Sequence, residues 1–423
     1  MAVVAVALAV AAIKLDEAIA EDWLVRLAWI YSGGAEGASL LLGTVAGSMI
    51  AIAGTVFSMT LVALSLASSQ LGPRLLRNFM RDTANQVVLG TFVATFVYCL
   101  LVLRTIRRAD EVAFVPHLSV SIGVLLAMVS IGVLIYFIHH VSVSIQADEV
   151  VARVGREMNE GIDRLFPGQL GKPGSEVSNA SVEAGLPASF AGEARPVGSL
   201  DDGYLQLIDA DALMALASQH DLLIRIERRP GHYLVKGRAL VMVWPGDRVT
   251  ENLADALNDA FVLGNQRTAA QDVEFSFHQV VEIALRALSP GINDTFTAIA
   301  CVDRLGSGLC RLACRDMPSP LRYDADGHLR LSAPETSFSD IVDTAFNQIR
   351  QNARSNPAVA IRLLDAIEQT AAYVRRVADA ACLQRHADMI IRGSREAVPE
   401  PEDLRAIEAR FTAATRALGE RRG

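Results

Sequence analysis

Three groups of residues in this chain have types and spacings that bear on chemistry. Thr44, Ser48, Thr55, Ser58, Ser65 and Ser69 fall on one heptad-spaced stripe, interrupted only by Ala51 and Val62, with Gly43, Gly47 and Gly54 on the adjoining face. On a helix this stripe offers hydrogen bonds without fixed charge. It either lines a polar path or packs against a neighbouring helix, where small residues let two backbones come close. Arg74, Arg77 and Arg81 follow Gly72-Pro73, with Leu75, Leu76, Phe79 and Met80 between them. That pattern reads as a short amphipathic helix with Pro in its first turn. The arginines either rest on anionic lipid or form a basic collar at the mouth of a pore, where rings of Arg favour anions. The third group is the loop Ser289-Pro290-Gly291-Ile292-Asn293-Asp294-Thr295, in which Pro-Gly closes one helical run and a new one follows. One reading is an interhelical turn capped by Asn293, Asp294 or Thr295. The other is a small anion or polar ligand held by Ser289, Gly291, Asn293 and Asp294 where free N–H groups converge, with Arg267 or Arg286 nearby.

Signatures of other chemistries are absent. No phosphate-binding P-loop, zinc-protease helix, nucleophile elbow or dinucleotide-binding glycine fingerprint occurs, so neither an enzyme nor a resident cofactor or metal is expected. The five cysteines, Cys99, Cys301, Cys310, Cys314 and Cys382, form no CxxC pair and read as buried free thiols in a reduced compartment. Cys310 and Cys314 lie one helical turn apart, which leaves a metal or redox site as the other reading. His139 and His140 point about 100° apart on a helix of 3.6 residues per turn, which favours an interfacial anchor over two ligands of one ion. The net charge of −8, without any block of like charge, gives no reason to expect nucleic acid as a partner.

The stripe sits inside a run, 37–73, that carries no charge. A spanning helix needs about 20 apolar residues, and the charge-free runs 86–103 and 112–147 are also long enough. Residues 1–13 are apolar and read as a first span that is short or cut at its start. About four spans are therefore expected within a transmembrane domain of residues 1–146, at 1–13 (partial), 38–69, 86–104 and 116–140. These spans contain no Asp or Glu, which argues against a carrier built on buried carboxylates. Basic residues beside the spans divide evenly between the two sides, so the positive-inside rule does not orient the chain. Cysteines without obvious partners place the large C-terminal part in the cytoplasm, with the spans in the plasma (inner) membrane.

After the spans, 147–166 has helical periodicity and 167–199 is a Gly/Pro/Ser-rich linker. Residues 200–248 are expected to form a small β module, with strands at Gly203–Ile208, Leu222–Ile226 and Ala239–Trp244 and a helix over 211–218. Pro-Gly-x-x-Leu-Val-x-Gly-x-x-Leu over 230–240 resembles half of a barrel-sandwich (biotinyl/lipoyl-like) module, without a lysine placed for covalent biotin or lipoate. Residues 249–423 read as helical, with runs over 250–263, 269–288, 295–313, 338–352, 358–380 and 401–418, and with Thr250 and Ser337 as caps.

Ser289-Pro290-Gly291-Ile292-Asn293-Asp294 followed by Phe296-Thr297-Ala298-Ile299-Ala300 resembles the signature of bacterial domain-of-unknown-function family 2254, described as predicted membrane proteins. Gly54-Thr55-Val56-Phe57-Ser58, Ser68-Ser69-Gln70-Leu71-Gly72-Pro73-Arg74, Phe92-Val93-Ala94-Thr95-Phe96-Val97-Tyr98 and Tyr136-Phe137-Ile138-His139-His140 resemble it too; Thr295 stands where the pattern has Pro. The resemblance implies a membrane location and no established activity, substrate or catalytic residue. The expected fold is a multi-span α-helical membrane domain followed by an α+β soluble domain. The expected role is an oligomeric channel-like or transport-related protein in contact with membrane lipid, with Gly43-x-x-x-Gly47 near the axis of a homo-oligomer. The alternative is a membrane-anchored scaffold or ligand sensor across which nothing passes.

Overall fold

The computed structural model describes residues 1–18, 31–71, 83–107, 114–144, 146–166, 185–334 and 336–420, the side chains of 67–71 and 144 excepted. The chain divides into two compact units, Met1–Glu149 and Val150–Gly423.

The first unit contains α1 (Ala2–Ala18), α2 (Ala35–Leu71), α3 (Thr83–Thr105) and α4 (His117–Ser144). α3 is central, touching the other three, and contributes the buried Phe92, Tyr98, Cys99 and Val102. Two polar contacts join it to α4: Tyr98 Oη donates to the Ser119 carbonyl at 2.9 Å, and the hydroxyls of Thr95 and Ser130 meet at 3.1 Å. Outward faces carry Leu40, Phe57, Leu125, Ile131 and Ile135, all well exposed. A water-soluble chain rarely leaves so contiguous an apolar surface uncovered, whereas lipid accepts it. Among the described residues, three helices, Ala35–Leu66, Thr83–Thr105 and His117–Val143, are long and apolar enough to cross a membrane. The partial span expected over 1–13 falls on α1, which is not one of these three. α1 is a 17-residue helix that includes Lys14, Asp16 and Glu17, and it packs an Ala5-Ala9-Ala12 face on its neighbours. At 1.5 Å per residue its reach of about 25 Å falls short of a hydrocarbon core of about 30 Å.

Most of α5 (Ala147–Leu165) belongs to the second unit, and its buried face is Val150, Val151, Val154, Met158 and Ile162. It packs on α10 (Thr295–Ala313), with Asp163 Oδ1 in an ion pair with Arg311 Nε at 2.9 Å and accepting from Arg315 Nη2, just past the end of α10, at 2.6 Å. A four-residue α6 (Phe190–Glu193) leads into β1 (Arg195–Gly198), so ordered structure occupies the end of the stretch read as linker. Then follow β2 (Gly203–Ile208), α7 (Ala210–Gln219), β3 (Leu223–Ile226), β4 (Tyr233–Leu234), β5 (Ala239–Trp244), α8 (Glu251–Asp259) and β6 (Phe261–Gly264). Further along lie β7 (Leu321–Tyr323) and β8 (Leu329–Ser332). They form a five-stranded sheet in the order β1-β5-β3-β8-β7 and a three-stranded sheet in the order β4-β2-β6. Pairing is antiparallel except between β3 and β8, where Ile224 aligns with Leu331. Both sheets and the two helices α7 and α8 share one core, built on Leu205, Leu213, Ile224, Leu234, Val241, Leu257 and Phe261.

This arrangement does not confirm a barrel-sandwich module over 200–248. The sheets draw strands from 195–198, 261–264 and 321–332, and helices fill part of the core. The helix read over 250–263 stops at Asp259. Phe261 and Val262 instead pair with Ile208 and Leu207, a long-range partnership that overrides local periodicity.

The remaining helices are α9 (Val273–Ala287), α11 (Phe338–Asn352), α12 (Pro357–Ala371), α13 (Val377–Ala397) and α14 (Pro401–Gly419), packed with α10 into a bundle. Local chemistry starts the helices, at Thr250 and Ser337 as expected. Thr250 caps α8, Ser337 and Asp340 form a reciprocal capping box on α11, and Asn356 caps α12 with Pro357 in its first turn. The single helix expected over 358–380 is corrected: α12 ends at Ala371 and α13 starts at Val377, although neither Gly nor Pro marks the break.

Candidate functional site

α2 places the hydroxyl stripe. Its buried face is Ala38, Leu42, Ala46, Met49, Ala53, Val56 and Ala63, which pack towards α3 and α4. Thr44, Ser48, Thr55, Ser58 and Ser65 are all exposed, as are Gly43, Gly47 and Gly54. At 3.6 residues per turn, Thr44 and Thr55 lie roughly opposite Met49 and Ala53, so the stripe faces away from the unit's own core. A Cβ built on Gly43, Gly47 or Gly54 would meet nothing within 4 Å. The hydroxyls turn back onto their own helix: Thr44 Oγ1 donates to the Leu40 carbonyl at 2.7 Å, Ser48 Oγ to Thr44 at 2.8 Å and Thr55 Oγ1 to Ala51 at 3.1 Å. A hydroxyl that donates still has lone pairs with which to accept, so the face offers hydrogen bonds while carrying no charge. The side chain of Ser69 and the whole of Arg74, Arg77 and Arg81 lie outside the described residues.

The loop 289–295 is built as a capped turn. Asn293 takes a left-handed backbone with φ of 51°, and its N–H donates to the Ser289 carbonyl at 2.9 Å. Asp294 caps α10, accepting from Thr297 N–H at 3.0 Å and from Thr297 Oγ1 at 2.6 Å. Those bonds hold the Asp294 carboxyl below the usual carboxylate range. The position an external anion would take at this helix N-terminus is filled by the chain's own carboxylate. Ser289 Oγ is turned onto the Arg286 carbonyl at 2.7 Å, and Gly291 is exposed.

A further cluster, which the sequence did not point to, surrounds Arg229 in the turn between β3 and β4. Its Nη2 donates to Glu274 Oε1 at 2.7 Å and its Nη1 to Asp340 Oδ2 at 3.1 Å, joining the first turns of α9 and α11. Arg267 Nε donates to Asp272 Oδ2 at 2.8 Å, and Asp272 also caps α9 through Phe275 N–H at 3.1 Å. Gly231, at φ of 93°, lies so close that a Cβ would collide with the Asp272 carboxylate, and only glycine takes that backbone without strain. Burial pushes the Asp272 and Glu274 carboxyls up, against the pull of their arginine partners. Burial, and then the charges of Arg229, Arg228 and Arg267, push the His232 imidazole down. A cavity opens beside the cluster, lined in part by Arg228, Arg229 and Arg322. The cluster was invisible in the sequence because its members come from three separated stretches of chain, 228–232, 267–274 and 340.

The other candidates resolve into local structure. All five cysteines are free, with Cys99, Cys301 and Cys382 buried, and Cys310 Sγ lies 3.6 Å from Thr370 Oγ1. His140 stacks on Tyr136 with ring centroids 5.6 Å apart. Asp324, Asp326 and His328 bring three ligand-type atoms together at the β7–β8 turn. There the Asp324 carboxylate is already engaged by Arg330 Nε at 2.7 Å and by the N–H groups of Asp326 and His328.

Three apolar helices with lipid-suited outer faces agree with what comparison shows. Residues 1–369 match the family described as Predicted membrane protein (DUF2254). The chain belongs to that family. It is similar to an uncharacterized protein of Mycobacterium bovis, 33% identical over 369 residues that make up 86% of this chain and 69% of the relative. Uncharacterized proteins from two strains of Mycobacterium tuberculosis are similar at the same identity and coverage. No solved structure matches this DUF2254 chain.

Proposed function

We propose that this DUF2254 member is an oligomeric, channel-like membrane protein whose copies associate through the Thr44–Ser65 face of α2. The observation that supports this reading is that outward face, hydroxyl- and glycine-rich and uncharged, set across the helix from the packed Leu42-Met49-Ala53-Val56 face. A face of small and polar residues gains little from lipid, whereas a second helix can approach it closely or water can run along it. In the assembly, hydroxyls line a narrow uncharged path, and Arg74, Arg77 and Arg81 supply a basic collar that favours anions. Five free cysteines suit a reduced compartment, so the second unit is assigned to the cytoplasmic side of the plasma (inner) membrane. A second reading, a membrane-anchored scaffold or ligand sensor, is favoured by the cavity in the second unit.

Native mass spectrometry in lipid discs, combined with planar-bilayer recording, tests the reading. A homo-oligomer with anion-preferring conductance is expected. Gly47→Leu should dissociate it, Ser58→Leu should block flow, and Arg77→Glu with Arg81→Glu should reduce or reverse the ion preference. A monomer in both detergent and lipid discs overturns the assembly. An intact oligomer without conductance at any voltage, pH or membrane tension leaves the scaffold or sensor.

A further inference from the structure

The cavity beside Arg229 lies wholly within the second unit and has a volume of 260 Å³. Ligand sites start at about 300 Å³, and at just under that size the cavity suits only a small molecule. Leu165, Ile208, Ile226, Val273, Leu331 and Ala333 give it apolar walls drawn from α5, from both sheets and from the start of α9. Among the described residues its charged groups are of one sign. Arg228, Arg229 and Arg322 line it, and no described lining residue is an aspartate or glutamate. Arg229 is already compensated by Glu274 and Asp340. Gln271 is satisfied as well: its Oε1 accepts from Ile208 N–H at 2.9 Å and its Nε2 donates to the Ile208 carbonyl at 3.1 Å. Arg228 and Arg322 differ: both are exposed, and neither has an ion pair among the described residues. Two guanidiniums without an ion pair among the described residues, beside an apolar hollow, are complementary to a ligand with one anionic end and a hydrocarbon body. Guanidinium geometry favours a carboxylate, which it grips through two parallel hydrogen bonds.

We propose that this cavity binds a small amphipathic monoanion, a medium-chain carboxylate whose chain lies between Ile226, Val273 and Leu331 and whose headgroup meets Arg228 and Arg322. The site belongs to the second unit and the α2 face to the first, and the proposal does not depend on assembly or conductance.

Isothermal titration of octanoate into the full chain in lipid discs, with empty discs subtracted, tests it. Octan-1-ol serves as the neutral counterpart and acetate as the headgroup without a chain. Octanoate is expected to bind one per chain, at least tenfold tighter than octan-1-ol, with no binding of acetate. Arg228→Gln with Arg322→Gln changes only exposed side chains and should weaken octanoate at least tenfold while leaving octan-1-ol unchanged. Ala333→Trp, in protein whose circular dichroism and thermal unfolding match the parent, should abolish binding of both. No octanoate binding above empty discs, equal affinity for octan-1-ol, or octanoate binding untouched by the arginine pair overturns the proposal. Because these readouts follow binding at the second unit, they can fail while the oligomer stands, and the reverse.

Discussion

Asp16 accepts two hydrogen bonds from Ser119, one from its backbone N–H at 2.9 Å and one from its hydroxyl at 2.6 Å. A third comes from Leu118 N–H at 2.9 Å. The first turn of α4 is thus capped by a carboxylate from α1, reaching across more than a hundred residues of chain. Negative charge at a helix N-terminus is stabilising, and here it also fixes α1 against α4.

Asp16→Ala strands the N–H groups of Leu118 and Ser119 in a half-buried place and should cost about 1–3 kcal/mol. Ser119→Ala keeps both backbone bonds and should cost less. Thermal unfolding of the detergent-solubilised chain compares the two. An unchanged midpoint for Asp16→Ala would show that water or lipid headgroups replace the cap.

Acidification should destabilise the second unit through His386. Its imidazole is wholly buried, Nε2 lies 2.7 Å from Asp343 Oδ1, and Nδ1 has no partner among the described residues. A proton on Nδ1 would be buried without an acceptor. Burial accordingly holds the imidazole below its ordinary value, while Asp343 pulls the other way. The unfolded chain takes up the proton near the ordinary histidine value of about 6.5, and the native state resists it. Stability is therefore fully present above that value and is lost as pH falls from it towards the lower native value. His232, also held low, adds in the same direction. Denaturant midpoints should drop between pH 7.5 and 5.5 and drop less in His386→Gln. Equal slopes in parent and variant would move the origin elsewhere.

Gly308 and Gly47 should respond oppositely to enlargement. A Cβ on Gly308 would lie 2.5 Å from Met158 Cε and 3.1 Å from Phe277 Cζ, so Gly308→Val should cost about 1–3 kcal/mol or more by overpacking. Gly47 has open space, so Gly47→Leu should leave the thermal midpoint of the isolated chain in place and act on assembly alone. Unfolding curves and native masses of both variants check the contrast; a large stability loss in Gly47→Leu would contradict it.

A fragment starting at Leu200 should aggregate, whereas one starting at Ala147 should stay soluble. The shorter piece loses β1, whose Val197 pairs with Val241 in the sheet core, and α5, whose Met158 and Ile162 are fully buried. Size-exclusion profiles of the two fragments decide it. A monodisperse shorter fragment would show that neither element is needed.

By itself the sequence determined what depends on local rules. Long charge-free runs mark helices suited to a bilayer because hydrocarbon excludes charge over a fixed thickness. Thr250, Ser337 and Asp294 cap helices because a side-chain oxygen next to free N–H groups acts within one turn. Ala239–Trp244 reads as a strand from its own residues. The hydroxyl stripe was also legible as a pattern. That it turns outward was decided by the packing of Leu42, Met49 and Ala53 on the other helices.

Tertiary structure alone decided what depends on distant partners. Phe261 and Val262 have helical periodicity and become a strand only because Leu207 and Ile208 offer an edge. β7 and β8 exist as an extension of a sheet begun a hundred residues earlier, through Leu331 beside Ile224. Asp16 reads as a charge closing a short apolar helix until Ser119 meets it. The Arg229 cluster and its cavity gather residues from 165 to 340, and no spacing rule connects positions that only folding brings within hydrogen-bonding distance.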